Sequence, residues 1–160
     1  MTALSARLLR DPVHCLALGF GAGLVPRAPG TAGTLVGMLL DPLLRPLGLG
    51  GRAAVVALLF AAGVWICGAS AKRLGVHDHP GIVWDEIVGY LAMMLVAPAG
   101  LGWALAGFVL FRYFDILKPW PIRQVDHGVS GGLGIMLDDI MAAAWGALVL
   151  LGLKLALGNA

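Results

Sequence analysis

G-I-M-L-D-D-I-M-A-A-A-W-G-A-L-V-L-L-G-L-K-L-A-L, residues 134–157, decides the class of the fold. It is long and apolar enough to cross a bilayer as a helix, yet it carries two adjacent carboxylates, Asp138 and Asp139. The same conflict recurs at I-V-W-D-E-I-V-G-Y (82–90) and F-R-Y-F-D-I-L-K-P-W (111–120). A carboxylate in or near hydrocarbon costs a few kcal/mol on insertion scales, about 3 kcal/mol at a helix centre. Such a group ordinarily faces a partner, a cavity or a cation. Five acids placed this way, Asp85, Glu86, Asp115, Asp138 and Asp139, suggest one shared cation site.

Composition agrees with the membrane class. Of 160 residues 59% are hydrophobic and 12% charged, and mean hydropathy is +0.90, more apolar surface than a soluble domain of this size could bury. The length suits one domain, 1–160. The 24 glycines follow no collagen-like period and lie within apolar runs, where they let helix backbones approach; such faces suit packing within one chain or between chains. A net charge of +2, with no basic patch interleaved with aromatics, argues against nucleic acid as a partner. Cys15 and Cys67 stand far apart in apolar surroundings and read as inert thiols.

Hydropathy predicts an all-α polytopic membrane bundle of about five short transmembrane or half-inserted helices, near 31–48, 53–71, 82–98, 101–117 and 134–157. The Gly-rich segment 13–25 is too short to span and reads as re-entrant. Arg7 and Arg10 before it faintly echo a signal peptide, but Asp11-Pro12 interrupts the pattern, and the segment is expected to stay on the cytoplasmic side. Counting spans from the N-terminus puts all the acidic motifs on one membrane face. That face holds Arg7, Arg10, Arg27, Lys72, Arg73, Arg112, Lys118 and Arg123, against Arg45, Arg52 and Lys154 opposite. The positive-inside rule then makes the motif face cytoplasmic. Trp84, Trp103 and Trp120 read as interfacial aromatics.

The chemistry follows from residue types. Carboxylates without a matching Cys/His set suit a hard divalent cation, Mg²⁺ first. Asp85-Glu86 and Asp138-Asp139 are expected in the first turns of their helices. Neighbouring residues point about 100° apart, so each pair offers one group to a central site and one to a neighbour. The plainer alternative, helix capping plus ion pairs, accounts for one or two of these acids. Arg112 and Asp115 are spaced to share a helix face, with Lys118 one turn on and Arg123 beyond; guanidinium and ammonium groups suit phosphate. Thr31 and Thr34 open a helix after glycines, a weak anion signal, and Gly33-x-x-x-Gly37 reads equally well as a packing face. His77-Asp78-His79 forms a nonspecific candidate metal triplet. C-x5-R at 67–73 falls on a continuous helix and is rejected as a phosphatase loop.

Taken together, G-A-G-L-V-P-R-A-P-G-T-A-G-T (21–34), V-H-D-H-P-G-I-V-W-D-E-I-V-G (76–89), F-R-Y-F-D-I-L-K-P-W-P-I-R (111–123) and G-G-L-G-I-M-L-D-D-I (131–140) resemble the phosphatidylglycerophosphatase A family of membrane lipid phosphatases. The resemblance covers roughly residues 14–145. It implies Mg²⁺-dependent removal of the terminal phosphate of phosphatidylglycerol phosphate, a phospholipid substrate, at the cytoplasmic face of a bacterial inner membrane. It places Asp85, Glu86, Asp138 and Asp139 at the metal, Asp115 as ligand or water-activating group, and Asp85, Asp115 and Asp139 among the catalytic residues. Arg112, Lys118, Arg123, Thr31 and Thr34 would hold phosphoryl oxygens, with His77 and Asp78 in a lesser role. The competing reading from another class is a small membrane transport or assembly subunit whose acids carry protons or cations; basic residues beside the acids favour phosphate.

Overall fold

The computed structural model describes residues 4–76 and 78–158, with the side chains of 125–127 also outside the description. The described residues form an all-α fold of seven helices: α1 (Pro12–Ala17), α2 (Pro29–Leu44), α3 (Gly48–Leu74), α4 (Trp84–Met93), α5 (Leu101–Leu117), α6 (Ile122–Gly128) and α7 (Gly132–Ala156). Local chemistry sets several boundaries. Pro29 occupies the first turn of α2, where a missing N–H costs nothing. α3 ends at Gly75, whose left-handed backbone (φ 70°) returns its N–H to the carbonyls of Ala71 and Lys72. α5 stops at Lys118, also left-handed (φ 43°), immediately before Pro119, which cannot extend the helix.

The short helix α4 is the hub. Eight of its ten residues are buried, and α2, α3, α5 and α7 pack around it. On α2 the buried stripe Gly30, Gly33, Thr34, Gly37 and Asp41 faces α4. A Cβ on Gly33 would lie 2.7 Å from the Val83 Cβ, and one on Gly37 3.0 Å from the Ile87 carbonyl oxygen. The glycines therefore set how closely the two backbones approach, which gives Gly33-x-x-x-Gly37 its packing role. Two apolar clusters complete the core. One joins α3, α4 and α7 around Ile66, Cys67, Trp84, Val88 and Met136. The other joins α4, α5 and α7 around Tyr90, Met93, Phe111 and Ala142.

Leu39 and Leu43 on α2, Leu58 on α3, Val109 on α5 and Leu155 on α7 all stand exposed. Two helical runs, Pro29–Leu74 (joined through a 3₁₀ turn at Arg45–Leu47) and Gly132–Ala156, are long and apolar enough to cross a membrane.

The expected helix at 82–98 is shorter than its apolar run. α4 ends at Met93 and is about 15 Å long, half a bilayer core. Two carbonyls of the segment just beyond it are taken by arginines. Arg52, buried, donates to Met94 O at 2.6 Å, and Arg45 donates to Ala97 O at 3.3 Å. Asp41 holds both guanidiniums, accepting from Arg45 Nε and Arg52 Nη2 at 2.8 Å each. Trp84 is likewise no interfacial aromatic. It is buried with its indole N–H donating to Leu59 O at 3.1 Å, because the first turn of α4 is enclosed by α3. Segment 13–25 folds as α1 and a kinked 3₁₀ turn at Gly19–Leu24, with Phe20 and Gly21 at positive φ. Both cysteines are free thiols.

Candidate active site

The site is built at the N-terminal ends of α2 and α4, the C-terminal end of α5 and the N-terminal half of α7. Asp85 and Glu86 lie in the first turn of α4, where the helix dipole favours negative charge. The backbone that leads into them is pinned. Val83 donates its N–H to Ala17 O at 2.8 Å, and α1 is fastened to α3 through His14 Nδ1 and the Ser70 hydroxyl, 2.9 Å apart and buried. α5 brings Arg112 and Asp115 on one face. Arg112 Nη1 lies 2.6 Å from Asp115 Oδ2 and 3.7 Å from Glu86 Oε1. The contact to Asp115 is a close ion pair, although its angle misses that of a hydrogen bond.

Asp138 and Asp139 fall at the end of the second turn of α7, not in its first. The helix starts at Gly132 because Gly131 takes the N-cap at φ 77°. The two acids diverge as adjacent helical residues must. Asp138 accepts from Lys118 Nζ at 2.5 Å, while Asp139 turns to the cluster. Asp85, Glu86 and Asp139 each place a carboxylate oxygen within 4.8 Å of the other two. Both acids of the first pair thus reach the cluster, and only one of the second.

Asp85 Oδ1, Glu86 Oε2 and Asp139 Oδ2 are buried without a hydrogen-bond partner among the described residues. Burying unpaired carboxylate oxygens is among the costliest arrangements in a protein. Asp138 Oδ1 is buried in the same condition, but only Asp85, Glu86 and Asp139 converge, and three carboxylates without a thiolate or imidazole among them fit a hard oxygen-seeking divalent cation. Arg112 Nε and Nη1 are likewise buried without a hydrogen-bond acceptor among the described residues.

The remaining expected residues distribute unevenly. Thr34 is fully buried and donates its hydroxyl to Gly30 O at 2.9 Å, so it closes the first turn of α2. Thr31, half-buried, lies in that same turn. Arg123 is exposed on α6, and shares a cavity wall with Lys118. Asp78 is exposed, and His79 Nδ1 accepts the Gly81 N–H at 3.0 Å, a local turn. His77 lies outside the described residues. One contributor escaped sequence reasoning. A Cβ on Gly30 would meet Glu86 Oε1 and come within 2.9 Å of Arg112 Nη1, so the absence of a side chain at Gly30 makes room for the site.

The family profile described as phosphatidylglycerophosphatase A matches residues 15–154. The chain belongs to that family. A phosphatidylglycerophosphatase A of Haemophilus influenzae is 44% identical over 149 residues, covering 91% of this chain and 91% of the relative. The enzyme of the same name from Escherichia coli K12 is also 44% identical, covering 92% and 87%. A Bacteroides thetaiotaomicron relative with a provisional phosphatidylinositol-3-phosphatase name is 37% identical, covering 79% and 84%. No solved structure matches the chain significantly. The family is one of phosphoric monoester hydrolases, and the four motifs that suggested it all lie within the matched residues.

Proposed function

We propose that the chain removes the terminal phosphate of phosphatidylglycerol phosphate at a Mg²⁺ centre held by Asp85, Glu86 and Asp139, on the cytoplasmic face of a bacterial inner membrane. The dephosphorylation follows from family membership. The observation that carries the rest is the convergence of three carboxylates from two helices with unpaired buried oxygens. A bound Mg²⁺ would supply Lewis-acid polarisation of the phosphoryl group and a more acidic water.

The chain's own groups divide the remaining work. Arg112, already between Glu86 and Asp115, keeps its buried Nε for a phosphoryl oxygen and holds the group by charge-assisted hydrogen bonds. Lys118 adds a point charge from the side of Asp138. Asp115, paired with Arg112 at 2.6 Å, accepts the proton of the attacking water as its oxygen bonds to phosphorus and the P–O bond to glycerol breaks. The leaving alkoxide of the glycerol takes up, through solvent, the proton that Asp115 gives back, so phosphatidylglycerol and inorganic phosphate form with Asp115 restored. Positioning and charge neutralisation dominate such transfers.

Bilayer placement rests on the apolar exterior of α2, α3, α5 and α7 and on the basic residues gathered on the motif side. In this reading α4 and the Gly19–Leu24 turn are half-inserted, and the site sits at headgroup depth where the phosphate of a lipid lies. Magnesium activation of Asp139→Asn tests the proposal. We expect kcat to fall by about 10²-fold or more, as for loss of a metal-positioning group, with a raised Mg²⁺ requirement. An unchanged activation curve contradicts it.

A further inference from the structure

The substrate carries two phosphates: the terminal monoester that leaves, and a phosphodiester that joins the glycerol headgroup to the diglyceride. The carboxylate cluster and Arg112 account for the first. Beside them, where α5 passes into α6, a cavity of about 280 Å³ is bounded by Leu117, Lys118, Pro119, Trp120, Arg123 and Gln124. Lys118 is the shared wall. Its Nζ contacts Asp138 Oδ2 at 2.5 Å, and the next residue, Asp139, belongs to the cluster. The cavity is thus linked through Lys118 to α7, the helix that also carries Asp139 of the cluster.

Its far wall is cationic and braced. With the Gln124 amide oriented to satisfy its neighbours, Oε1 accepts the Trp120 indole N–H at 3.2 Å and Nε2 donates to Pro121 O at 2.9 Å. Indole and amide thus occupy each other, and Arg123, exposed, is the charged group that wall presents to an incoming ligand. Trp120 is itself 74% exposed, as suits an aromatic at headgroup depth.

We propose that this cavity binds the bridging phosphodiester of the lipid, with the Arg123 guanidinium as its planar donor fork. The assignment rests on the phosphatidylglycerol phosphate reading. It makes recognition depend on both phosphates. It also predicts that the product, which keeps the diester, remains bound after inorganic phosphate has left.

Inhibition separates the two subsites. The full chain in mixed micelles is assayed for phosphate release from phosphatidylglycerol phosphate, with phosphatidylglycerol, glycerophosphoglycerol or inorganic phosphate as inhibitor and diacylglycerol as the lipid control. In Arg123→Ala the Ki of phosphatidylglycerol should rise about tenfold, as for one lost charge-assisted contact, while that of inorganic phosphate shifts less than about twofold. Glycerophosphoglycerol should follow phosphatidylglycerol, which assigns the effect to the headgroup diester, and Arg123→Lys should recover part of the loss. Equal shifts for the diester and for phosphate, no shift at all, or a wild-type chain that phosphatidylglycerol inhibits no better than diacylglycerol does would overturn the assignment while leaving the phosphatase reading intact. Failure of the wild type to release phosphate from the substrate overturns both.

Discussion

Gly30 of α2 stands so close to Glu86 of α4 that a Cβ placed on it would collide with the Glu86 carboxylate. The obstruction is the tip of a flexible side chain, so the fold can yield by moving Glu86 and Arg112. Alanine at a position whose helical backbone it can adopt also restricts the unfolded chain, a gain of about 0.4–1 kcal/mol. Gly30→Ala should therefore leave thermal stability unchanged or slightly raised while displacing a proposed metal ligand. We expect activity to fall about 10²-fold, since small misplacements of reacting groups cost that much. A melting curve run beside a phosphate-release assay checks it, and parallel loss of both would point to a packing role instead.

At the other end of α4, Asp41 and Arg52 form a buried pair at 2.8 Å. Removing one partner strands the other, a loss of about 3–5 kcal/mol. Asp41→Leu or Arg52→Met alone should lower the melting temperature sharply, and the double variant should recover much of it. Arg52 also caps Met94 O, so recovery in the double variant should be incomplete. Thermal melts of the three proteins in detergent, analysed as a double-mutant cycle, give the answer.

Much of this was readable in the chain because apolar runs and punctuation agree. The helix expected at 101–117 is α5, Leu101–Leu117, bounded by Gly100 and by Lys118-Pro119. The grouping of acids was readable in part: of the five expected at one cation site, Asp85, Glu86 and Asp139 converge, while Asp138 pairs with Lys118 and Asp115 with Arg112. The end of α4 was not readable. Val96 and Ala97 are as apolar as the helix before them, and the chain beyond Met93 is held from outside, by Arg52 on Met94 O and Arg45 on Ala97 O. Asp41 escaped notice for the same reason: its partners come from the next turn and from a different helix. Trp84 reads as interfacial because sequence shows its flanks and not Leu59, whose carbonyl accepts its N–H.

Topology gives a prediction independent of catalysis. With Cys15 and Cys67 replaced, a single cysteine at Ser130, exposed before α7, should resist a membrane-impermeant maleimide applied to intact spheroplasts. One at Gly50, where a Cβ meets nothing within 4 Å, should react. The reverse pattern would put the motif face outside and contradict the charge asymmetry.

The most direct test of the central claim is phosphate release from phosphatidylglycerol phosphate by the pure chain in detergent, before and after metal removal by EDTA and after return of Mg²⁺. The account predicts release that falls to background without metal and returns with Mg²⁺ in the wild type, and that Mg²⁺ fails to restore in Asp85→Asn. Release that continues undiminished in EDTA would contradict a carboxylate-held metal at Asp85, Glu86 and Asp139.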